Sequence, residues 1–189
     1  MEAASALFAA FGLSASAGLN AYLPLLVVAL TARFTDWFTL RPPFNALESW
    51  WAIGILIVLL AVETLADKLP AVNHLNDLIQ TLVRPTAGAI LFAASANVVT
   101  GIHPVALVVL GLLVAGGVHA AKSVVLRPAV TMATGSVGNV PVSIAEDIAA
   151  AAISILAVVF PVVIAALIVM FTAFVIWWLW RRSNRLSRA

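Results

Sequence analysis

The chain has 189 residues, of which 63% are hydrophobic and 10% are charged. Soluble proteins carry about 45–50% apolar and 25% charged residues, and a globule of this length cannot hide the excess apolar surface from water. The composition therefore excludes a water-soluble fold and indicates an integral membrane protein. The formal net charge is +2 and cysteine is absent, which excludes disulfides and thiolate metal sites.

Apolar runs between the charged residues predict membrane-spanning helices, because about 20 residues are enough to cross the hydrocarbon core. The sequence therefore predicts an all-α fold class, a polytopic transmembrane helical bundle that forms a single domain over 1–189. Six spans are predicted, at about 4–31, 50–66, 85–100, 104–121, 145–160 and 162–180, with a basic cytoplasmic tail at 181–189. Gly18, Asn20 and Pro24 lie inside the first run and predict a kink or interruption there.

The last apolar run, 148–180, is open to two interpretations. It is either two spans that separate at Phe160-Pro161, giving six in total, or one long kinked helix, giving five. Six spans put eight of the ten lysines and arginines on the cytoplasmic side, whereas five put six of them there. Because cytoplasmic loops carry the excess of Lys and Arg, six spans are favoured, with both termini inside and the 101–104 turn outside.

Charged residues cluster after two of the predicted spans, and the first cluster contains Glu63, Asp67, Lys68 and Arg84. Glu63 and Asp67 are four residues apart and would face the same way on one helix. Ionisable residues at membrane depth are expensive and mark proton, ion or solute pathways. The alternative is that the helix has already left the hydrocarbon here, so that these groups are solvated charges at its end.

The second cluster contains His119, Lys122, Arg127, Glu146 and Asp147. Between its basic and acidic members, around 127–142, the chain is small and nearly uncharged, which predicts a re-entrant or irregular segment. Ser143 and Glu146 have the spacing of a capping box. An alternative role for both acids is therefore to lie in the positive first turn of a helix that starts at Ser143.

Both clusters fall on the same face of the membrane in the six-span arrangement. Unpaired charges cost at least about 2.5–3.5 kcal/mol each at the centre of a membrane helix, so acids and bases this close to span ends should find each other. The sequence therefore predicts that the two clusters converge into one network, with Glu63 as its most buried member.

Motifs of the common enzyme classes are missing from the sequence. There is no HExxH, GxSxG or phosphate-binding Gly-Lys loop, and His74 with Asp77 supplies only two metal ligands, which is too few for a site. We therefore expect no enzymatic activity, no cofactor and no metal. Four of the ten cationic residues lie in the last nine positions, which is typical of an anchor at the membrane surface and does not indicate a nucleic-acid partner.

Four groups of residues occur in an order that resembles a known family. They are the run from Ser16 to Leu26, Glu63-x-x-Ala-Asp67-Lys68-x-Pro70, Arg84-Pro85-x-x-Gly88-Ala89, and His119-x-x-Lys122-x4-Arg127 followed by Thr134-Gly135 and Ser143-x-x-Glu146-Asp147. From about Leu7 to Val169 the chain resembles the bacterial integral membrane family catalogued as domain of unknown function 4126. The resemblance implies a small bacterial inner-membrane protein with no known activity, and it adds Asn20 and Tyr22 to the candidate positions.

These features predict a transporter or channel for a small polar or anionic solute, or for a lipid headgroup, that uses a buried charged network. The alternative is a non-catalytic membrane scaffold or assembly factor whose charges pair structurally. The expected partners are the lipid bilayer, an anionic lipid or small solute, and further copies of the chain. The candidate pathway residues are Asn20, Tyr22, Glu63, Asp67, Lys68, Arg84, His119, Lys122, Arg127, Glu146 and Asp147.

Overall fold

The computed structural model describes residues 3–66, 70–96, 99, 101–134 and 138–186, and within them the fold is all-α. The helices are α1 (Ala3–Leu19), α2 (Tyr22–Phe34), α3 (Trp50–Ala66), α4 (Pro70–Ala96), α5 (Pro104–Ala121), α6 (Arg127–Thr134), α7 (Asn139–Val159) and α8 (Pro161–Leu186). A short 3-10 helix, Phe44–Glu48, precedes α3, and a π-helical turn, Lys122–Leu126, joins α5 to α6.

Four helical stretches are long and apolar enough to cross a membrane, which makes this a multi-pass membrane protein. They are Leu78–Ala96, Pro104–Thr134, Asn139–Val159 and Pro161–Trp178. Helices α1, α2 and α3 are also apolar but shorter, with 17, 13 and 17 residues. The span predicted at 85–100 starts too late, because α4 begins at Pro70 and continues through Pro85 as one helix.

The kink or interruption predicted inside the first span, 4–31, is an interruption, and the two parts, α1 and α2, form a hairpin instead of a single span. Helix α1 ends at Leu19, α2 begins at Tyr22, and the segment after α2 returns to the start of α1, where Trp37 and Ser5 line the same pocket. Leu7, near the start of α1, and Ile102, in the turn between α4 and α5, pack against the same buried cluster, which includes Ala10 and Phe92.

This hairpin changes the predicted topology. We call the end of the bundle with Ser5, Trp37 and Ile102 the turn end, and the opposite end, where α1 meets α2, the network end. The prediction that the N-terminus and the 101–104 turn lie on opposite sides of the membrane is wrong, because the start of α1 and this turn share the turn end.

Helix α1 is the centre of the bundle, and its small side chains allow α4, α5 and α7 to approach closely. Ser14 Oγ donates to the Gly111 carbonyl of α5 at 2.9 Å, and Ser16 Oγ donates to the Ala150 carbonyl of α7 at 2.8 Å. Such contacts replace the hydrophobic effect, which cannot hold helices together inside lipid. Gly88 of α4 faces Ser14 and Gly111, so three helix backbones meet at one level.

The predicted break at Phe160-Pro161 is confirmed, since α7 ends at Val159 and α8 begins at Pro161. Helix α8 starts beside Ser5 and brings Ile164 against Gly12 of α1, so its first turn runs in the direction of α1. The apolar side chains of α8 beyond this turn are largely exposed.

The irregular segment predicted around 127–142 is helical wherever the structure describes it. Helix α6 covers Arg127–Thr134, and α7 begins at Asn139 after a short stretch, 135–137, outside the described residues. A helix satisfies every backbone group internally, so small uncharged residues adopt it at membrane depth in preference to open backbone.

Candidate functional site

One centre of buried charge joins α3, α4 and α5. Arg84 donates from one terminal nitrogen to Glu63 Oε1 at 2.9 Å, and both side chains are only 1% exposed. The other terminal nitrogen of Arg84 lies 3.3 Å from His119 Nδ1. Because arginine only donates, Nδ1 must accept, which leaves the proton of the neutral ring on Nε2, 3.2 Å from the Thr81 hydroxyl.

A second centre joins α5, α6 and α7. Lys122 Nζ lies 2.6 Å from Glu146 Oε2, and an Arg127 nitrogen lies 3.7 Å from the same oxygen. All three side chains are buried. Lys122 is one helical turn beyond His119, so the two centres are neighbours along α5.

The tip of the α1–α2 hairpin lies against this second centre. Lys122 Nζ also donates to the Leu19 carbonyl at the end of α1, at 3.1 Å. Asn20 Nδ2 donates to Asp147 Oδ1 at 2.9 Å. Neighbouring acids on α7 therefore hold the tip by two routes, Glu146 through Lys122 and Asp147 through Asn20.

Asn20 also caps α2. Its Oδ1 accepts from the backbone N–H groups of Tyr22 at 3.1 Å and Leu23 at 3.0 Å, and Pro24, the next residue, has no N–H to satisfy. Asn20 therefore pairs two of the free backbone donors that a helix start leaves, without a ligand.

Tyr22 links the tip to the first centre. It lies beside Gln80 of α4 and within electrostatic range of Glu63 and Arg84. Gln80 is 2% exposed, and its amide oxygen has no hydrogen-bond partner among the described residues.

The interpretation of Glu146 and Asp147 as first-turn capping acids is wrong. Helix α7 begins at Asn139 rather than Ser143, so both acids lie about two turns into the helix, and Ser143 is a buried residue of the helix interior. Their contacts are with Lys122 and Asn20, respectively.

Most of the predicted pathway residues lie at the network end, and two lie outside the described residues. The structure places Asn20, Tyr22, Glu63, Arg84, His119, Lys122, Arg127, Glu146 and Asp147 there. Asp67 and Lys68 are not among the described residues. The described members form two adjacent centres, and their role as a pathway stays a prediction.

Comparison with known proteins gives a family and no function. The model of the family described as Domain of unknown function (DUF4126) matches residues 7–182. The chain belongs to this family. Comparison with curated proteins and with solved structures gave no match. No activity therefore comes to this DUF4126 protein from a relative.

The sequence analysis predicted Arg84 but missed two other buried polar residues of this DUF4126 protein, Asn76 and Gln80. Asn76, Gln80 and Arg84 are spaced at i, i+4 and i+8 on α4, and all three are buried. That spacing puts them on one helix face, a signal that becomes visible in the sequence once α4 is known to start before Arg84. Among the described residues, no three His, Asp or Glu side chains are grouped to hold a metal ion.

Proposed function

We propose that this protein is a small membrane transporter that moves a small polar or anionic solute, or a lipid headgroup, along the charged network. The observation that supports it is the break between α1 and α2, whose tip contacts Lys122 and Asp147 at the level of the buried charges. Transporters commonly build their sites where discontinuous membrane helices end beside polar groups. The proposal is non-enzymatic, since the sequence offers no nucleophile with a base.

The charged groups lie within the candidate spans themselves. Arg84 belongs to the Leu78–Ala96 stretch, Lys122 to Pro104–Thr134 and Glu146 to Asn139–Val159. Ionisable residues at such positions are rare because they are costly, and they most often serve solute or ion pathways.

An anionic solute could affect the α1–α2 hairpin by binding to Lys122. Glu146 shares one oxygen between Lys122 and Arg127, and a carboxylate or phosphate of the solute could take the place of Glu146. Lys122 would then bond to the solute instead of Glu146, so the link from α7 to the hairpin tip that runs through Glu146 and Lys122 would open. The π-helical turn that begins at Lys122 supports this, since π turns occur frequently at functional sites.

Two buried oxygens could accept hydrogen bonds from a solute that moves along the network. Gln80 Oε1 and Glu146 Oε1 have no hydrogen-bond partner among the described residues. A buried acceptor left unpaired costs about 1–3 kcal/mol, so a solute with hydroxyl or ammonium donors would gain by reaching them.

The proposed side of the membrane rests on the charges. We propose that the protein lies in the bacterial inner membrane with the network end cytoplasmic, because Lys122 and Arg127 are there, whereas Arg33 and Arg41 belong to the segment that returns to the turn end. Helix α8 leaves the turn end in the direction of α1, which would bring the basic tail to the cytoplasmic side.

The alternative is a scaffold, and it too has a specific observation in its favour. The buried charges pair with one another, as Glu63 does with Arg84 at 2.9 Å and Lys122 with Glu146 at 2.6 Å. Pairing of this kind is also what a purely structural network requires.

Currents from purified protein in liposomes on a solid-supported membrane separate the two functions. Concentration jumps of small carboxylates, phosphate, zwitterionic amino acids and protons form the panel. Transport predicts a current with at least one of them that Lys122→Met and Glu63→Gln abolish and that Arg41→Gln, at an exposed position, preserves. If no jump gives a current while Lys122→Met still lowers the unfolding temperature, the scaffold is correct.

A further inference from the structure

An apolar groove lies between α2, α3 and α4, beside the charged network rather than in it. Its volume is about 410 Å³, and Leu25, Leu56, Leu82 and Ala87 line its walls. This volume falls in the range of about 300–1,000 Å³ that is usual for ligand sites. Leu47 marks its end towards the turn end of the bundle, and the inner end reaches Tyr22.

A cation lies at the Leu47 end of the groove. Arg33 donates to the backbone carbonyl of Glu48, the neighbour of Leu47, at 2.7 Å. Its guanidinium carbon lies 4.1 Å from the centre of the Trp50 ring. These two contacts hold the Arg33 guanidinium in place. Its other N–H donors have no partner among the described residues.

Exposed aromatic rings place the Leu47 end of the groove at the surface of the bilayer. Trp50 and Trp51 are 61% and 84% exposed, and tryptophans in such positions lie at the level of lipid headgroups. The groove therefore runs from the headgroup layer into the hydrocarbon, ending where Tyr22 starts α2.

We propose that this groove is a binding site for one phospholipid with an anionic headgroup. Its phosphate pairs with Arg33, and one acyl chain fills the groove as far as Tyr22. Because lipid tails are as apolar as leucine, the groove alone cannot select one lipid over another. Selection comes from the positive charge of Arg33, which attracts a headgroup of net negative charge more strongly than a zwitterionic headgroup, whose ammonium offsets its phosphate. The site goes beyond the proposed transport function and does not depend on it.

The proposal is tested on purified, delipidated protein in detergent, by native mass spectrometry with phosphatidylglycerol and phosphatidylethanolamine of identical chains. The protein should prefer phosphatidylglycerol by about fivefold, the ratio that corresponds to one arginine near an anionic group. Arg33→Gln should make the two lipids bind equally. Arg41→Gln, at an exposed position, should keep the preference.

A second pair of variants tests the groove itself. Thr86 is exposed at the groove, and its hydroxyl bonds only to the Leu82 carbonyl of its own helix, so Thr86→Trp should fill the groove and reduce binding of both lipids. Thr172→Trp is the matched control, because Thr172 is an exposed threonine of α8 that also bonds to its own helix. An unchanged preference in Arg33→Gln, or unchanged binding in Thr86→Trp, would overturn the proposal.

Discussion

Lys122 ties three helices together through a single ammonium group. From the end of α5 it reaches the last carbonyl of α1 at Leu19 and the carboxylate of Glu146 on α7. Burying an ion costs several kcal/mol even after relaxation, and pairing only repays that cost. The contribution of Lys122 to the free energy of unfolding is therefore best measured by removing its charge alone and together with the charge of Glu146.

We expect Lys122→Met to lower the free energy of unfolding by about 3–5 kcal/mol, because Glu146 is then left buried with only the more distant Arg127. Lys122→Met combined with Glu146→Gln should recover part of this loss, since neither charge of the pair remains. Equilibrium unfolding in mixed micelles, followed by helical circular dichroism, measures both values.

The exposed Arg41→Met is the control for this pair and should change the stability by less than about 0.5 kcal/mol. If the double variant is as unstable as Lys122→Met alone, packing of the lysine stem holds the helices together, and the charge pair does not.

At the scale of helices, the close packing of α4 and α5 depends on glycine. A β-carbon added at Gly111 would lie 2.5 Å from the Gly88 carbonyl oxygen and 2.6 Å from the Ala89 α-carbon. Both neighbours are backbone atoms, which cannot turn aside as a flexible side chain would. At Gly117, further along the same helix, an added β-carbon would have no neighbour within 4 Å.

Gly111→Ala should therefore lower the free energy of unfolding by about 1–3 kcal/mol, as overpacking does. Gly117→Ala should leave it unchanged or raise it by up to about 1 kcal/mol, because alanine is the better helix former. Thermal unfolding of the two variants side by side in one detergent gives the comparison. Equal effects of the two substitutions would mean that α4 and α5 do not meet at Gly111.

Local signals predicted where helices break but not the direction that the chain takes after each break. Gly18 and Pro24 predicted the interruption after α1, and Pro161 predicted the start of α8. Pro85 has the same chemistry yet lies inside α4, because membrane helices tolerate proline where neighbouring groups satisfy the freed backbone. Whether the chain turns back is decided by tertiary contacts, such as those of Asn20 with Asp147, which no local pattern contains.

For the whole molecule, the cost of buried charge made the gathering of acids and bases predictable, but not their pairing. Glu63 of α3 pairs with Arg84 of α4, and Glu146 of α7 pairs with Lys122 beyond the end of α5, so each pair depends on how separate helices pack together. The alternative that Glu63 is a solvated charge at the end of its helix is wrong, since this residue is 2% exposed. The amino-acid sequence determines which charges need partners, and the packing of the helices selects those partners.

The hairpin has a consequence for topology that labelling can test. The start of α1 and the turn at Gly101 share one end of the bundle, and α6 lies at the other. Because the chain has no cysteine, single cysteines can be placed without background. In intact cells, a membrane-impermeant maleimide should label Ala4→Cys and Gly101→Cys, and Met132→Cys only after permeabilisation, since the basic end should face the cytoplasm. Labelling of Ala4→Cys and Gly101→Cys from opposite sides would contradict the hairpin, whereas reversal of all three would contradict only the orientation.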